Sequence, residues 1–412
     1  MNLQLRNHQK EVYELMGKHN KMLTIAPTSA GKSYMMIADA KRRIEENNDC
    51  IILIISPKIL LTQQLSQDFE RFIPCDNIIH VHSGDTKHRK ITDFLELAYW
   101  DELTTGPKLI FSTYHSLHKI IKSEIHIDTV YLDEAHHAVN SRFFNSVKTI
   151  SELTNNVFSL TATPKFSSVF NKPGNNDSDV FGSKIHNVSA PALINNGCIL
   201  PPQAITIPLA AVRDSKDNPA ERDFYTLLDC ILGENHMNKV LICAPTTKVM
   251  MAMFAETDFL SEMKENGYEV LHITSKYGAF VDNKKVTRSE FLKTLSDYGQ
   301  DDTKKFVVLH IGILVEGISV PGIQSCIMMR STNMISTVQL IGRTIRVHSI
   351  DSERMATGEL IPGDFDNYHK PFGKIVIPTY ENGVGKRTAN QVNHIVNEVF
   401  INGNYVYDEI KK

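Results

Sequence analysis

Short, unbroken apolar runs recur along this chain, each closed off by polar or turn residues: 22–26, 50–56, 108–113, 129–132 and 157–160, then 239–244, 269–274, 306–311 and 325–329. A strand with one face in water alternates apolar and polar residues, whereas a strand covered on both faces reads as a continuous run. Such runs call for helices above and below a mostly parallel sheet. Residues 33–44 place Met36, Ile37, Ala40 and Ile44 at helical spacing, and residues 59–72 do the same with Leu61, Leu65, Phe69 and Phe72. Strand, helix, strand is the unit of a doubly wound sheet. The runs fall into two groups, parted by a polar stretch at 171–179 that reads as a mobile surface loop and by a connection at 201–221. The expected fold is α/β, with two tandem doubly wound parallel-sheet domains at 1–200 and 201–348. A tail at 349–412, with a readable strand at 374–377 and helix at 390–399, either completes the second domain or forms a small accessory element.

The chain is long enough for this, at 412 residues, and 42% apolar with 22% charged residues is the composition of a globular protein. A formal net charge of −3 supplies no global basic field, so any binding of nucleic acid has to come from a local groove. Cys50, Cys75, Cys198, Cys230, Cys243 and Cys326 are scattered without zinc spacing and read as buried thiols in a reducing compartment. No apolar run reaches the roughly 18 residues of a membrane span, and the N-terminus lacks a signal-peptide layout. A soluble intracellular protein, cytoplasmic and without a membrane partner, is expected.

The segment Ala26-Pro27-Thr28-Ser29-Ala30-Gly31-Lys32-Ser33 follows one apolar run and opens a helical pattern, the context that a phosphate-binding loop requires. Backbone N–H groups there can wrap a β-phosphate at the helix N-terminus, Lys32 can reach the β- and γ-phosphates, and the Ser33 hydroxyl can ligate Mg²⁺. Ala26 stands where the pattern usually has its first glycine, so the competing reading is a Gly-Lys turn at an ordinary helix start. About 100 residues on, Val130-Tyr131-Leu132-Asp133-Glu134-Ala135-His136 sets two carboxylates at the end of a buried strand. Asp133 in that position can hold Mg²⁺ and Glu134 can act as general base on a water, against the alternative of a solvated acidic pair at a helix start.

These residues resemble superfamily 2 helicases, P-loop NTPases of two RecA-like domains, in which Asp133-Glu134-Ala135-His136 looks like the DEAH box. Other segments follow in the family's order. Gln9, in Leu5-Arg6-Asn7-His8-Gln9, resembles the glutamine that reads the adenine edge. Ser56-Pro57-Lys58 resembles motif Ia, and Thr113 and Tyr114 fall in the motif Ib region, so the resemblance implies nucleic-acid contacts at Pro57, Lys58, Thr113 and Tyr114. Ser159-Leu160-Thr161-Ala162-Thr163-Pro164 matches motif III, implying that Thr161 and Thr163, with His136, couple the ATP site to the nucleic-acid site.

In the second domain, Gln339-Leu340-Ile341-Gly342-Arg343-Thr344-Ile345-Arg346 matches motif VI, which makes Gln339, Arg343 and Arg346 catalytic and the two arginines the expected fingers. An arginine in that role contributes about 10³–10⁵ in rate in well-studied NTPases. The plain alternative is two cations three apart on one helix face, forming weak surface ion pairs. Glu316-Gly317-Ile318-Ser319-Val320-Pro321 resembles motif V, with Ser319 where most members carry aspartate; Gly317 there permits close approach of the backbone to the nucleotide. Ser275 and Lys276 resemble a phosphate contact. A narrower resemblance, carried by Thr28 to Ser33, Gly317 to Val320, Arg343 and His348, is to phage-encoded recombination helicases. Together these imply an ATP- and Mg²⁺-dependent, monomeric helicase or translocase that works between its two lobes on nucleic acid, DNA more than RNA; the alternatives are a nucleic-acid-binding clamp or remodelling ATPase without strand separation, or an RNA helicase.

Overall fold

Among the nine expected strand segments, those of the first group become the middle of a sheet because their apolar side chains fall on both faces. The computed structural model describes residues 3–169, 172–209, 218–233, 237–312 and 322–410. It divides into two compact units, Met1–Val188 with Tyr405–Lys412, and Ser189–Asn404.

In the first unit the strands are β1 (Lys21–Ile25), β2 (Ile51–Ser56), β3 (Asn77–Val81), β4 (Arg89–Lys90), β5 (Lys108–Thr113), β6 (Thr129–Asp133), β7 (Asn156–Thr161), β8 (Lys165–Ser167) and β9 (Lys184–Asn187). Eight of them form one sheet in the order β4-β3-β5-β2-β6-β7-β1-β9, every described pairing parallel. The central strands β2, β5 and β6 are buried at every residue, as the unbroken runs require. Leu53, Ile55, Ile110, Val130 and Leu132 from these strands share a core cluster with Val147 and Ile150 of the helix Phe144–Leu153.

The second unit holds β10 (Pro202–Leu209), β11 (Lys239–Cys243), β12 (Tyr268–Thr274), β13 (Gly278–Val281), β14 (Lys284–Val286), β15 (Lys305–His310), β16 (Ser325–Met328) and β17 (Gly373–Tyr380). Their order is β10-β17-β16-β11-β15-β12-β13-β14. The pairings are parallel apart from the hairpin β12-β13-β14. At its tip Asp282 and Asn283 both take positive φ, 44° and 64°, the conformation of a tight two-residue turn. Its core gathers Val240, Ile242, Val307, Leu309 and Ile327.

Three sequence expectations change. The connection expected at 201–221 contains β10, paired with β17 along eight residues, and the start of the helix Pro219–Leu232. It reads as a linker because β10 is an edge strand, half exposed along its length, where Pro202 and Pro208 are tolerated. The loop expected at 171–179 contains the buried Asn175 and the start of the short helix Ser178–Phe181, so its described part is built into the unit; Asn171 lies outside the described residues. The tail parts in two. Residues 349–404 belong to the second unit, with β17 inside its sheet, and β18 (Asp408–Ile410) returns to the first unit to pair in parallel with β8.

Candidate nucleotide-binding site

β6, β7 and β1 are neighbours in the first sheet, and the three segments singled out in the sequence leave their carboxyl ends in turn. That is the edge at which open α/β sheets bind ligands. Registry places Thr161 opposite Ile25 and Asp133 opposite Leu160, so phosphate loop, acidic pair and threonine motif emerge side by side.

The phosphate loop turns from β1 into the helix Lys32–Glu46 through two left-handed residues, Ser29 (φ 74°) and Gly31 (φ 77°). Gly31 has a second constraint, since a Cβ there would run into Gln9 Nε2. Gln9 is buried and holds the loop by its backbone, donating to Ala30 O at 3.3 Å and Gly31 O at 3.4 Å, while its Oε1 accepts from Arg6 N at 2.9 Å. His8 Nε2 adds a contact to Ala30 O at 2.9 Å. Ala26, wholly buried, sends its N–H to Thr161 O at 2.9 Å. A residue at this place is packed against β7, and alanine fills the space that a glycine would leave.

Lys32 Nζ stands 3.7 Å from Glu134 Oε1, with both side chains largely buried. Glu134 has a left-handed backbone (φ 48°, ψ 53°), rare for a residue with a side chain and concentrated at functional sites. Asp133 is 5% exposed. Burial first, and the neighbouring Glu134 charge second, hold its carboxyl well above the usual range, with Lys32 opposing. A buried carboxylate short of positive charge, beside a helix N-terminus carrying the half-buried Ser33, is a donor set of hard oxygens suited to Mg²⁺.

Thr161 ties the parts together. Its Oγ1 meets His136 Nδ1 at 2.9 Å and accepts from Thr163 N at 3.2 Å, and its carbonyl takes the Ala26 N–H. His136, Thr161 and Thr163 are all within 1% of full burial. His136 Nδ1 is also 3.5 Å from Glu134 Oε2. Sequence reading missed Asn175, which belongs to this site. Its Nδ2 donates to Ala135 O at 2.9 Å and its Oδ1 accepts from Lys165 N at 2.8 Å, bracing the acidic segment against the chain after the threonine motif. An asparagine in a polar stretch gave no signal of this.

The expected nucleic-acid contacts divide. Pro57 and Lys58 are half-buried after β2, and Ser275 and Lys276 are exposed after β12, with Lys276 Nζ 5.2 Å from the centre of the Tyr277 ring. Tyr114 does not fit that role. It is 2% exposed and its hydroxyl donates to Asp133 O at 2.9 Å, so the ring is packing beneath the acidic pair. Thr113 is likewise buried, its Oγ1 3.4 Å from Ser116 Oγ.

In the second unit Gln339 and Arg343 lie on the helix Met334–Thr344, whose N-terminus is capped by Asn333 Oδ1 accepting from Ser336 N at 2.8 Å. Both side chains are buried. Burial, with the charges of Arg343 and Arg330 behind it, pushes His310 at the end of β15 down to about 3, which places the Arg343 charge at the carboxyl edge of the second sheet. Arg346 is half-buried and lies beyond the helix, which ends at Thr344, so the two arginines do not share a helix face. Gly317 and the rest of 316–321 lie outside the described residues.

Asp302, His348 and His369 also bring metal-type ligand atoms together. Hydrogen bonding argues against a metal there. His348 Nδ1 accepts the Ile350 N–H at 3.3 Å, leaving the ring proton on Nε2, which faces Asp302 Oδ1 at 3.0 Å. Lys239 Nζ is 3.2 Å from the same oxygen. The cluster is satisfied as an ion-pair network. Among the described residues no helix is long and apolar enough to cross a membrane.

Both units match known family models. Residues 2–166 match the model of the type III restriction enzyme res subunit, and residues 223–348 match that of the helicase conserved C-terminal domain. No curated protein matches the sequence. Solved structures with the same fold include the ATP-dependent type ISP restriction-modification enzyme LlaBIII bound to DNA (TM-score 0.72, 14% identity, 99% of this chain and 32% of that one). Helicase MrfA bound to DNA is similar at TM-score 0.62 and 12% identity, over 99% of this chain and 52% of that one. A DEAD-box helicase bound to single-stranded RNA and UDP-BeF gives 0.58 and 14%, over 99% and 75%. The chain thus spans about a third of the length of the type ISP enzyme. With one family model over the unit that carries the phosphate loop and the other over the unit that carries Arg343, the chain belongs to superfamily 2 of the helicases.

Proposed function

We propose that this protein is an ATP-driven motor that moves along nucleic acid, DNA in preference to RNA, and hydrolyses ATP with Mg²⁺. The observation that carries the reading is the joining of Lys32, Glu134, His136 and Thr161 at the carboxyl edge of one sheet, with Lys32 3.7 Å from Glu134 and Thr161 bonded to both the acidic and the phosphate-loop segments.

Each residue has a task that its geometry suits. The loop Ala26 to Ser33, held by Gln9, presents backbone N–H groups to the phosphates, and Lys32 leaves Glu134 to pair with them. Ser33 and Asp133 would hold Mg²⁺, which neutralises charge developing on the phosphates. Glu134, released from Lys32, accepts a proton from the attacking water. Phosphoryl transfer depends mainly on positioning and electrostatics, the role in which Arg343 and Arg346 are the proposed arginines. Thr161 is placed to pass the state of the acidic segment to the strand ends, through His136 on one side and Ala26 on the other. Exposed Lys276 and half-buried Lys58 follow strands on the same edges of their own sheets and suit contacts to phosphates, so binding should weaken steeply with salt.

The test is ATP turnover with and without single-stranded DNA, forked DNA and RNA. Turnover should rise most on DNA, and Lys32→Ala should abolish it. Unchanged turnover in that variant would refute the site, and DNA binding by the native protein with no turnover would favour a clamp over a motor.

A further inference from the structure

Lys370 is a buried charged side chain outside the nucleotide site. It sits in the tail before β17, 5% exposed, and aims its ammonium at two backbone carbonyls from distant segments: Ile323 O at 2.7 Å and Arg346 O at 3.0 Å. Ile323, itself buried, is the second described residue after the segment that resembles motif V and leads into β16; Arg346 follows the helix of Gln339 and Arg343. Lys370 is in turn fixed from below. The buried Asp351 carboxylate accepts the His369 N–H at 2.7 Å on Oδ1 and the Lys370 N–H at 3.0 Å on Oδ2.

Packing alone does not call for a lysine here. A methionine of similar length would fill the space without the cost of burying a cation, and a buried charge is weak evidence for stability. That cost is visible: burial first, then the Arg346 charge, pushes the Lys370 ammonium down to about 7, with Asp351 opposing. What a lysine does and a methionine cannot is hold two carbonyls at a fixed separation.

We infer that Lys370 is a positioning residue for ATP hydrolysis, clamping the backbone of Arg346 to that of Ile323 so that the Arg346 guanidinium is set in its working place. The inference rests on the reading of Arg346 as a catalytic arginine. A displacement of about 1 Å in a catalytic group can lower a rate about 100-fold. Lys370→Met therefore lowers DNA-stimulated kcat by about 10- to 100-fold and leaves the KM for ATP within about threefold, because the phosphate loop is untouched.

A cycle with Arg346→Ala separates the possible failures. Support requires that Arg346→Ala lower kcat and that adding Lys370→Met to it cause little further loss. If Arg346→Ala lowers kcat while Lys370→Met turns over normally, or if the two losses multiply, the clamp is refuted and the arginine assignment stands. If Arg346→Ala turns over normally, the assignment fails and the clamp with it. Should Lys370→Met not fold, Asp351→Asn, which keeps the volume and one acceptor oxygen, is measured in its place. It should give a smaller kcat loss in the same direction, again absent in the Arg346→Ala background, and an unchanged kcat in the folded variant overturns the proposal.

Discussion

Asn175→Ala should weaken the first unit and its catalysis together. The side chain is 1% exposed and makes two hydrogen bonds to backbone, accepting from Lys165 N at 2.8 Å and donating to Ala135 O at 2.9 Å. Alanine removes both bonds at once: the Lys165 N–H is left bare at a cost of about 1–3 kcal/mol, while Ala135 O, which keeps the Ala138 N–H at 3.0 Å, loses one bond worth about 0.5–1.5 kcal/mol. The pair is then worth about 1.5–4.5 kcal/mol, and at roughly 2–4 °C per kcal/mol for a unit of this size the melting temperature falls by about 3–18 °C. Two measurements check this. The thermal transition of the first unit should move down by that amount, and amide exchange should quicken in residues 129–137 and 163–167. Turnover should fall as well, because the braced carbonyl belongs to the residue after Glu134. A melting temperature within about 1 °C of the native value, with unchanged exchange at Lys165, would refute the reasoning.

Two further outcomes follow from the same unit. Asp133 has its folded-state pKa pushed up to about 7, so between the ordinary carboxylate range and that value the native state binds the extra proton. The sign is then fixed: this group's contribution to stability is lost as pH rises, and Asp133→Asn should melt higher than the native protein at pH 7.5 without divalent cation, the gap closing toward pH 5. An equal gap at both pH values would show that Asp133 is not the group responsible. Removal of residues 405–412 strips β18 from β8, together with the ring contacts of Tyr405 and Tyr407 to Phe166 at 6.0 and 5.2 Å. Its effect should appear as lower melting and faster exchange at Lys165 to Ser167 in the first unit, with the second unit's β10–β17 ladder unaffected. Loss of protection in that ladder instead would mean that the terminal strand serves the other unit.

Sequence reading succeeded where a property of one segment decides its structure. β2, β5 and β6 announce themselves because burial on both faces leaves a continuous apolar stretch in each, and the phosphate loop because its Gly-Lys-Ser segment follows an apolar run and opens a helical pattern. It failed where the deciding partner is far away in the chain. β10 reads as a linker until β17, some 170 residues later, pairs with it residue for residue. Tyr114 looks available to a base, and only the fold reveals that its hydroxyl is taken by the carbonyl of Asp133. Asn175, Asp351 and Lys370 carry no pattern at all, because each acts through backbone atoms of other segments, and a backbone carbonyl leaves no mark on the residue that bears it. The division has a physical cause. Residues that meet the nucleotide are constrained by its chemistry and so resemble one another across proteins, whereas residues that hold them in place answer only to the local geometry of one fold. Asn175 under the acidic segment and Lys370 behind Arg346 are of the second kind, and perturbing them tests whether placement as well as composition makes this edge of each sheet work.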